Sequence, residues 1–223
     1  MINMERNITN EIVTEYINGF YKPLNGDFSA LRLKAEEGHV PRILKETESF
    51  LNVFLKITAP ERILEIGCAV GYSAMFFSAV SGADVVTIEK DKFMAAAASV
   101  NITRMGFEKK IDILEGDGEE CMKLLALKKT DPFDMVFIDA SKSHYKRFLD
   151  AALKLCRPGS IILSDNVLLR GCTASDIYDP SGKYKTNIKK MREYVDFINN
   201  DPRIDTSVIT CGDGLAISVI NNI

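Results

Sequence analysis

The chain has 223 residues, 46% hydrophobic and 26% charged, with a formal net charge of −3; this is a globular make-up and excludes disorder, which needs low hydrophobicity and high net charge. No apolar run approaches the roughly 20 residues that span a bilayer, and the opening MINMERNITNEIV has neither an unbroken apolar stretch nor a small-residue cleavage site, which argues against secretion and membrane attachment. Cys68, Cys121, Cys156, Cys172 and Cys211 are scattered and lack CxxC spacing, which fits a reducing cytoplasm and argues against a disulfide framework or a zinc cluster.

In chain order, residues 5–20 carry apolar side chains at helical spacing (Ile8, Ile12, Ile17, Phe20), and residues 45–57 repeat it (Phe50, Leu51, Phe54, Leu55, Ile57). These predict a helical extension over 1–58 ahead of a core over 59–223, the whole forming one domain. The period then changes to short, β-branched runs at 62–66, 84–88, 111–114, 133–138 and 160–163, separated by helix-like stretches near 72–81, 91–105, 118–128 and 142–156. Asp91 is placed to cap the second of these helices and Gly106 to stop it. Nearly continuous apolar strands alternating with helices predict a doubly wound α/β fold, a parallel sheet covered on both faces. After a helix at 186–199, two strands (206–210 and 215–220) are separated only by Cys211–Gly214, too short a link for a crossover, so they are expected to pair antiparallel at one edge.

In such sheets the ligand sits outside the carboxyl ends of the strands. Here successive strand ends deliver Glu65-Ile-Gly67-Cys68-Ala-Val-Gly71-Tyr-Ser73, Glu89, Gly116-Asp117-Gly118, Asp139 and Asp165-Asn166 to one rim. Any one of these acids could cap a helix; the ordered set points to a ligand. No Walker A pattern is present, and the dinucleotide fingerprint GxGxxG fails because Ala69 and Tyr72 take its second and third glycine positions. A turn bracketed by a carboxylate suits a cationic ligand without phosphates, and Glu89, about 20 residues beyond it, is placed to accept from ribose hydroxyls. S-adenosylmethionine meets both conditions.

Glu65-x-Gly67-x-x-x-Gly71-Tyr72-Ser73, Phe137-Ile-Asp139-Ala-Ser-Lys142-x-x-Tyr145, Asp165-Asn166 and Gly212-Asp213-Gly214-Leu215 resemble, in order and over roughly residues 30–220, the caffeoyl-CoA/catechol O-methyltransferase family. Gly38-His39-Val-Pro41, Glu48-Ser-Phe-Leu51 and the lysine-rich segment before the last helix look most like its bacterial tRNA 5-hydroxyuridine methyltransferases. The resemblance implies a Class I, Rossmann-like, seven-stranded, mainly parallel sheet with its last strand antiparallel. It implies a donor site of Ile43, Glu65, Gly67, Cys68, Gly71, Ser73, Glu89, Asp117, Gly118 and Asp139. It also makes Asp139, Asp165 and Asn166 ligands of Mg²⁺, a hard cation suited by one or two carboxylates with water and substrate completing the shell. Lys142 becomes the general base. Its ordinary pKa, about 10.4, is too high for that work at neutral pH unless the sulfonium and Mg²⁺ lower it. The family also suggests a homodimer.

Lys183, Lys185, Lys189, Lys190 and Arg192 put five cations within ten residues, with Tyr178 and Tyr184 close by, Arg170 after the Asp165–Asn166 pair, and Lys146 and Arg147 beside the proposed mouth. Such a patch rewards phosphates and a splayed base, yet it also describes the solvated face of a helix whose other side carries Ile188, Met191, Val195 and Ile198. His39 could touch substrate or cap a loop. The expected activity is Mg²⁺-dependent methyl transfer from S-adenosylmethionine to 5-hydroxyuridine at the tRNA wobble position, in the anticodon region. A small catechol-type acceptor is the alternative, with a non-catalytic RNA- or cofactor-binding module and an NAD-linked oxidoreductase more remote.

Overall fold

The computed structural model describes residues 10–222. Three helices come first: α1 (Glu11–Asn18), α2 (Gly26–Glu37) and α3 (Lys45–Thr58). Then follow β1 (Arg62–Ile66), α4 (Tyr72–Ser81), β2 (Asp84–Glu89), α5 (Lys92–Arg104), β3 (Ile111–Glu115), α6 (Gly118–Leu127) and β4 (Phe133–Ile138). The remainder is α7 (Tyr145–Ala152), β5 (Cys156–Ser164), α8 (Lys185–Asn200), β6 (Ile204–Ile209) and β7 (Leu215–Ile220). The seven strands form one sheet in the order β3-β2-β1-β4-β5-β7-β6. β1 pairs parallel with β2 and β4, while β7 runs antiparallel to both β5 and β6, as the short Cys211–Gly214 link requires.

The strands alternate which side they fill, so the chain buries two apolar layers. Leu64, Val136 and Ile138 pack with Phe148, Leu149, Met191 and Tyr194 under α6, α7 and α8. Ile63, Met135 and Phe137 pack on the other face with Leu51, Leu55, Met75, Phe77 and Ile102 under α2 to α5. Both faces of the central strands are therefore dry, which explains their nearly continuous apolar sequence. Asp91 caps α5 through the amides of Phe93 and Met94, and Gly106 follows its end with φ +78°, the left-handed stop that glycine adopts without strain.

Three expectations are corrected. The predicted helix over 5–20 is confined, among the described residues, to α1, residues 5–9 lying outside them. The predicted helix over 142–156 is a 3-10 turn at Lys142–His144 followed by α7, and Cys156 already belongs to β5. β5 starts four residues early because Pro158 and Gly159 ride a bulge, where the pairing with β4 shifts between Cys156 and Ile161; a proline is tolerated in a strand at such a point. α2 is an element that the apolar spacing did not announce.

Candidate active site

The chain winds outward from β1 to β3 and then returns to β4, so the crevice of this sheet opens between the carboxyl ends of β1 and β4. There Gly67 adopts φ +95°, and a Cβ on it would lie 2.2 Å from the Asp139 carbonyl oxygen. The turn after β1 and the residue after β4 thus touch through their backbones. Gly71 is similarly confined: a Cβ would lie 3.2 Å from that of Ala98 on α5. Asn101, also on α5, donates to the Val70 carbonyl (3.0 Å) and fixes the turn from behind.

Glu65 is completely buried at the end of β1. Its Oε2 accepts from the Thr87 hydroxyl, while Oε1 has no hydrogen-bond partner. Burial pushes the carboxyl up to about 7, partly offset by the Ser73 and Thr87 hydroxyls. Glu89 Oε2 accepts from the Ala69 amide and Oε1 from that of Asp91, both at 2.9 Å, leaving lone pairs on a half-buried carboxylate. Asp117 caps α6 through the Glu119 amide (3.1 Å) and meets Lys90 (3.3 Å). Gly118 sits where a Cβ would be 2.9 Å from the Phe148 ring. Cys68 is buried, and burial raises its thiol pKa far above the ordinary value, so its side chain is a packing group. Ile43, in the segment joining α2 to α3, is buried.

A second cluster lies beside the turn. Lys142 Nζ donates to Asp139 Oδ1 (2.9 Å), Asn166 Oδ1 (2.8 Å) and the Tyr145 hydroxyl (2.7 Å). The Tyr145 hydroxyl passes on to the Asp165 carbonyl (2.9 Å). Asp165 is buried, and burial followed by the Asp139 charge pushes its carboxyl up to about 7. Burial alone would lower Lys142, but Tyr145 and Asp139 outweigh it and the ammonium stands above its ordinary value; base work needs a positive neighbour to bring it down. Asn166, Leu169 and Arg170 all have positive φ, so the chain leaves the cluster through a strained bend of the kind that accumulates at functional sites. Asp213, in the β6–β7 link, accepts from the Arg170 amide, and burial pushes its carboxyl up to about 6.

The basic residues divide. Arg192 is turned inward onto the carbonyls of Cys172 (2.9 Å) and Thr173 (2.8 Å) and onto Asp176, so it leaves the expected patch. Lys190 pairs with Glu193, Arg147 with Glu119, and Lys146 lies over the Phe197 ring. Lys183, Lys185 and Lys189 remain on the exposed side. His39 is exposed in left-handed backbone just past α2 and no hydrogen bond joins it to the Lys142 cluster. Tyr145, Asp213 and Asn101 are participants that the sequence reading left without a role; the first two stood inside quoted motifs, whereas nothing in the sequence signalled Asn101.

A doubly wound sheet with a reversed last strand and a carboxylate-bracketed turn at its switch point is the framework of a class I methyltransferase. A sequence profile described as O-methyltransferase matches residues 32–220, and the chain belongs to that family. It is 29% identical over 196 residues to a caffeoyl-CoA O-methyltransferase of Populus kitakamiensis, covering 86% of this chain and 79% of that one. A catechol O-methyltransferase of Niastella koreensis is 27% identical over 178 residues, covering 77% and 78%. Among solved structures, the O-methyltransferase of Bacillus cereus in complex with SAH superposes with a TM-score of 0.81 at 26% identity, covering 94% of this chain and 97% of that one. The protein is an S-adenosylmethionine-dependent O-methyltransferase of the caffeoyl-CoA/catechol type.

Proposed function

We propose that the chain transfers the methyl group to a hydroxyl that has a second oxygen beside it, with a divalent cation, Mg²⁺, held by Asp139, Asp165 and Asn166. The observation that carries this reading is the position of Lys142. Two oxygens of this set, on adjacent strand ends, already close around an ammonium at hydrogen-bond distance. A set of two carboxylates and one amide oxygen is hard-donor chemistry. When bound, such a cation favours the deprotonated form of the acceptor and fixes two adjacent oxygens.

The residues of the chain do the rest. Glu65, with one oxygen lacking a donor, suits the amine end of S-adenosylmethionine, and Glu89 suits its ribose. Gly67, Cys68, Gly71, Ser73 and Ile43 shape the walls, and Asp117-Gly118 lies at the adenine end. Asp139 sits between donor and acceptor. Lys142, three residues on, would act as a neutral amine once the sulfonium and the cation lower its pKa; it then takes the acceptor proton as the methyl leaves sulfur for oxygen, so the positive charge passes from the sulfonium to the lysine.

For the acceptor we favour the 5-hydroxyl of 5-hydroxyuridine in the tRNA anticodon, whose O4 supplies the neighbouring oxygen. Exposed Lys183, Lys185 and Lys189 support this choice, since they lie on the segment that starts at Asn166 and runs into α8. A catechol-type small molecule satisfies the same catalytic residues and is the second reading, favoured by the names of the curated relatives. We place the enzyme in the cytoplasm; among the described residues no helix is long and apolar enough to cross a membrane. We also read the exposed apolar side of α1, with Ile12 and Tyr16 and the following Phe20, as the face for a second copy. The deciding experiment measures transfer from labelled S-adenosylmethionine, with Mg²⁺ or EDTA, to tRNA containing 5-hydroxyuridine and to catechol. Mg²⁺-dependent labelling of tRNA that yields 5-methoxyuridine on digestion is expected; labelling of catechol alone would replace the tRNA reading.

A further inference from the structure

Four separate pieces of chain meet in a buried polar hub outside the residues already assigned. Glu48 on α3 accepts from the Tyr21 hydroxyl at Oε1 (2.9 Å), and at Oε2 from the Tyr72 hydroxyl (2.8 Å) and from Arg32 Nη2. Arg32, on α2, also donates to the Ile43 carbonyl (3.1 Å), and its guanidinium lies 5.3 Å from the Tyr21 ring centroid and 5.0 Å from that of Tyr72. Arg32, Glu48 and Tyr72 are 4%, 2% and 2% exposed. Burial would lower the Arg32 pKa, but Glu48 and Tyr72 together more than reverse this, so the guanidinium stays charged.

A buried ion pair is a poor source of stability, because desolvation offsets its attraction, and apolar residues of similar volume often serve as well. What this pair does provide is geometry. Tyr72 is the first residue of α4, directly after Gly71, and so marks the end of the donor turn. Ile43 lies in the stretch at 40–44, which has no regular secondary structure. Val40 is tied back to Ala35 (2.8 Å), and Leu44 accepts from Glu48 at the start of α3 (2.8 Å). In between, the Arg32 bond to the Ile43 carbonyl ties the stretch to α2, and through Glu48 and Tyr72 to the donor turn.

We propose that Arg32, Glu48 and Tyr72 are positioning residues for methyl-donor binding: they hold the 40–44 stretch in register with the Gly67–Tyr72 turn, so the wall that Ile43 provides is preformed. This rests on the reading that Ile43, Glu89 and the turn hold S-adenosylmethionine. Preformed walls act on affinity by removing an ordering cost from binding.

The test compares Arg32→Lys, Tyr72→Phe and, as a check on the donor site itself, Glu89→Ala. SAH binding is measured by calorimetry, KM for S-adenosylmethionine and kcat by steady-state kinetics, and amide exchange over 40–44 by mass spectrometry. Lys keeps the charge but cannot reach Glu48 and the Ile43 carbonyl together, so Arg32→Lys should weaken SAH about tenfold, the factor that about 1.4 kcal/mol produces. KM should rise in parallel, kcat should stay within about twofold, and exchange over 40–44 should quicken, as expected of lost uniform binding. A folded Arg32→Lys enzyme with wild-type SAH affinity would overturn the proposal. Should that variant not fold, Tyr72→Phe decides: it keeps the ring and loses only the hydroxyl, and unchanged SAH affinity there overturns the proposal equally. Wild-type affinity in Glu89→Ala would instead overturn the donor-site reading beneath it.

Discussion

Replacing Glu65 with Gln should stabilise the ligand-free protein at alkaline pH and weaken its hold on the methyl donor. The Glu65 side chain is wholly buried and has one oxygen without a partner, so its ionised form is the expensive one. Its carboxyl stands at about 7 against an ordinary 4.5, and at about 1.4 kcal/mol per pH unit that gap is worth about 3 kcal/mol once the group is ionised. Because the folded protein keeps this proton to higher pH than the unfolded chain, the cost is absent below about 4.5, grows through the interval and is complete above about 7. Gln carries no charge at any pH, and its amide must still find acceptors, so a gain of about 2–3 kcal/mol at pH 8 is expected. For a chain of this length that is a rise of roughly 4–12 °C in Tm. Thermal melts of wild type and Glu65→Gln at pH 5, 6, 7 and 8, without ligand, should show a small difference at pH 5 that widens to pH 8. A difference independent of pH, or a less stable variant at pH 8, would refute the reasoning. SAH titrations at pH 8 should show the opposite preference, about tenfold weaker binding to the variant.

Gly67→Ala should destabilise the protein by at least about 2 kcal/mol, since its Cβ would meet the Asp139 carbonyl at 2.2 Å in a positive-φ conformation; a wild-type denaturant midpoint would contradict the contact. Asp165→Ala should abolish metal-dependent turnover while SAH affinity stays within about twofold, since of the proposed metal set only Asp139 is shared with the donor site; full activity would remove Asp165 from the metal set. Lys142→Met should lower kcat by about 100-fold or more with little change in acceptor KM, and an unchanged kcat would take the base assignment away from Lys142.

The strand ends were readable because the central strands are mostly apolar on both sides, and the change to a charged or small residue at Gly67, Glu89, Asp139 and Asp165 marks where each strand ends. The same rule hid α2. Its buried side consists of Phe28, Leu31, Arg32 and Ala35, and an arginine in the middle of that face breaks the apolar period on which a sequence reading depends. The helix expected over 45–57 is α3 (Lys45–Thr58), although what its first turn buries, Glu46, Thr47 and Glu48, was not foreseen. The rim residues were legible as types at strand ends, but what they touch was not. That Lys142 would be held by three oxygens, that Arg192 would turn inward and that Asn101 would brace the turn are outcomes of packing between elements far apart in sequence.

The backbone contact between Gly67 and Asp139 has a consequence for how this enzyme can change. It acts as a fixed gauge: the turn proposed for the methyl donor and the strand end proposed for the acceptor are pressed together with no side chain between them, so their separation cannot be tuned by substitution. Variation in acceptor size and shape is thereby displaced to the stretches at 40–42 and 167–184, beyond the proposed metal ligands and donor wall, which border the gauge without setting it. An enzyme built this way can exchange one acceptor for another by rewriting those stretches while the distance across which the methyl group travels stays the same.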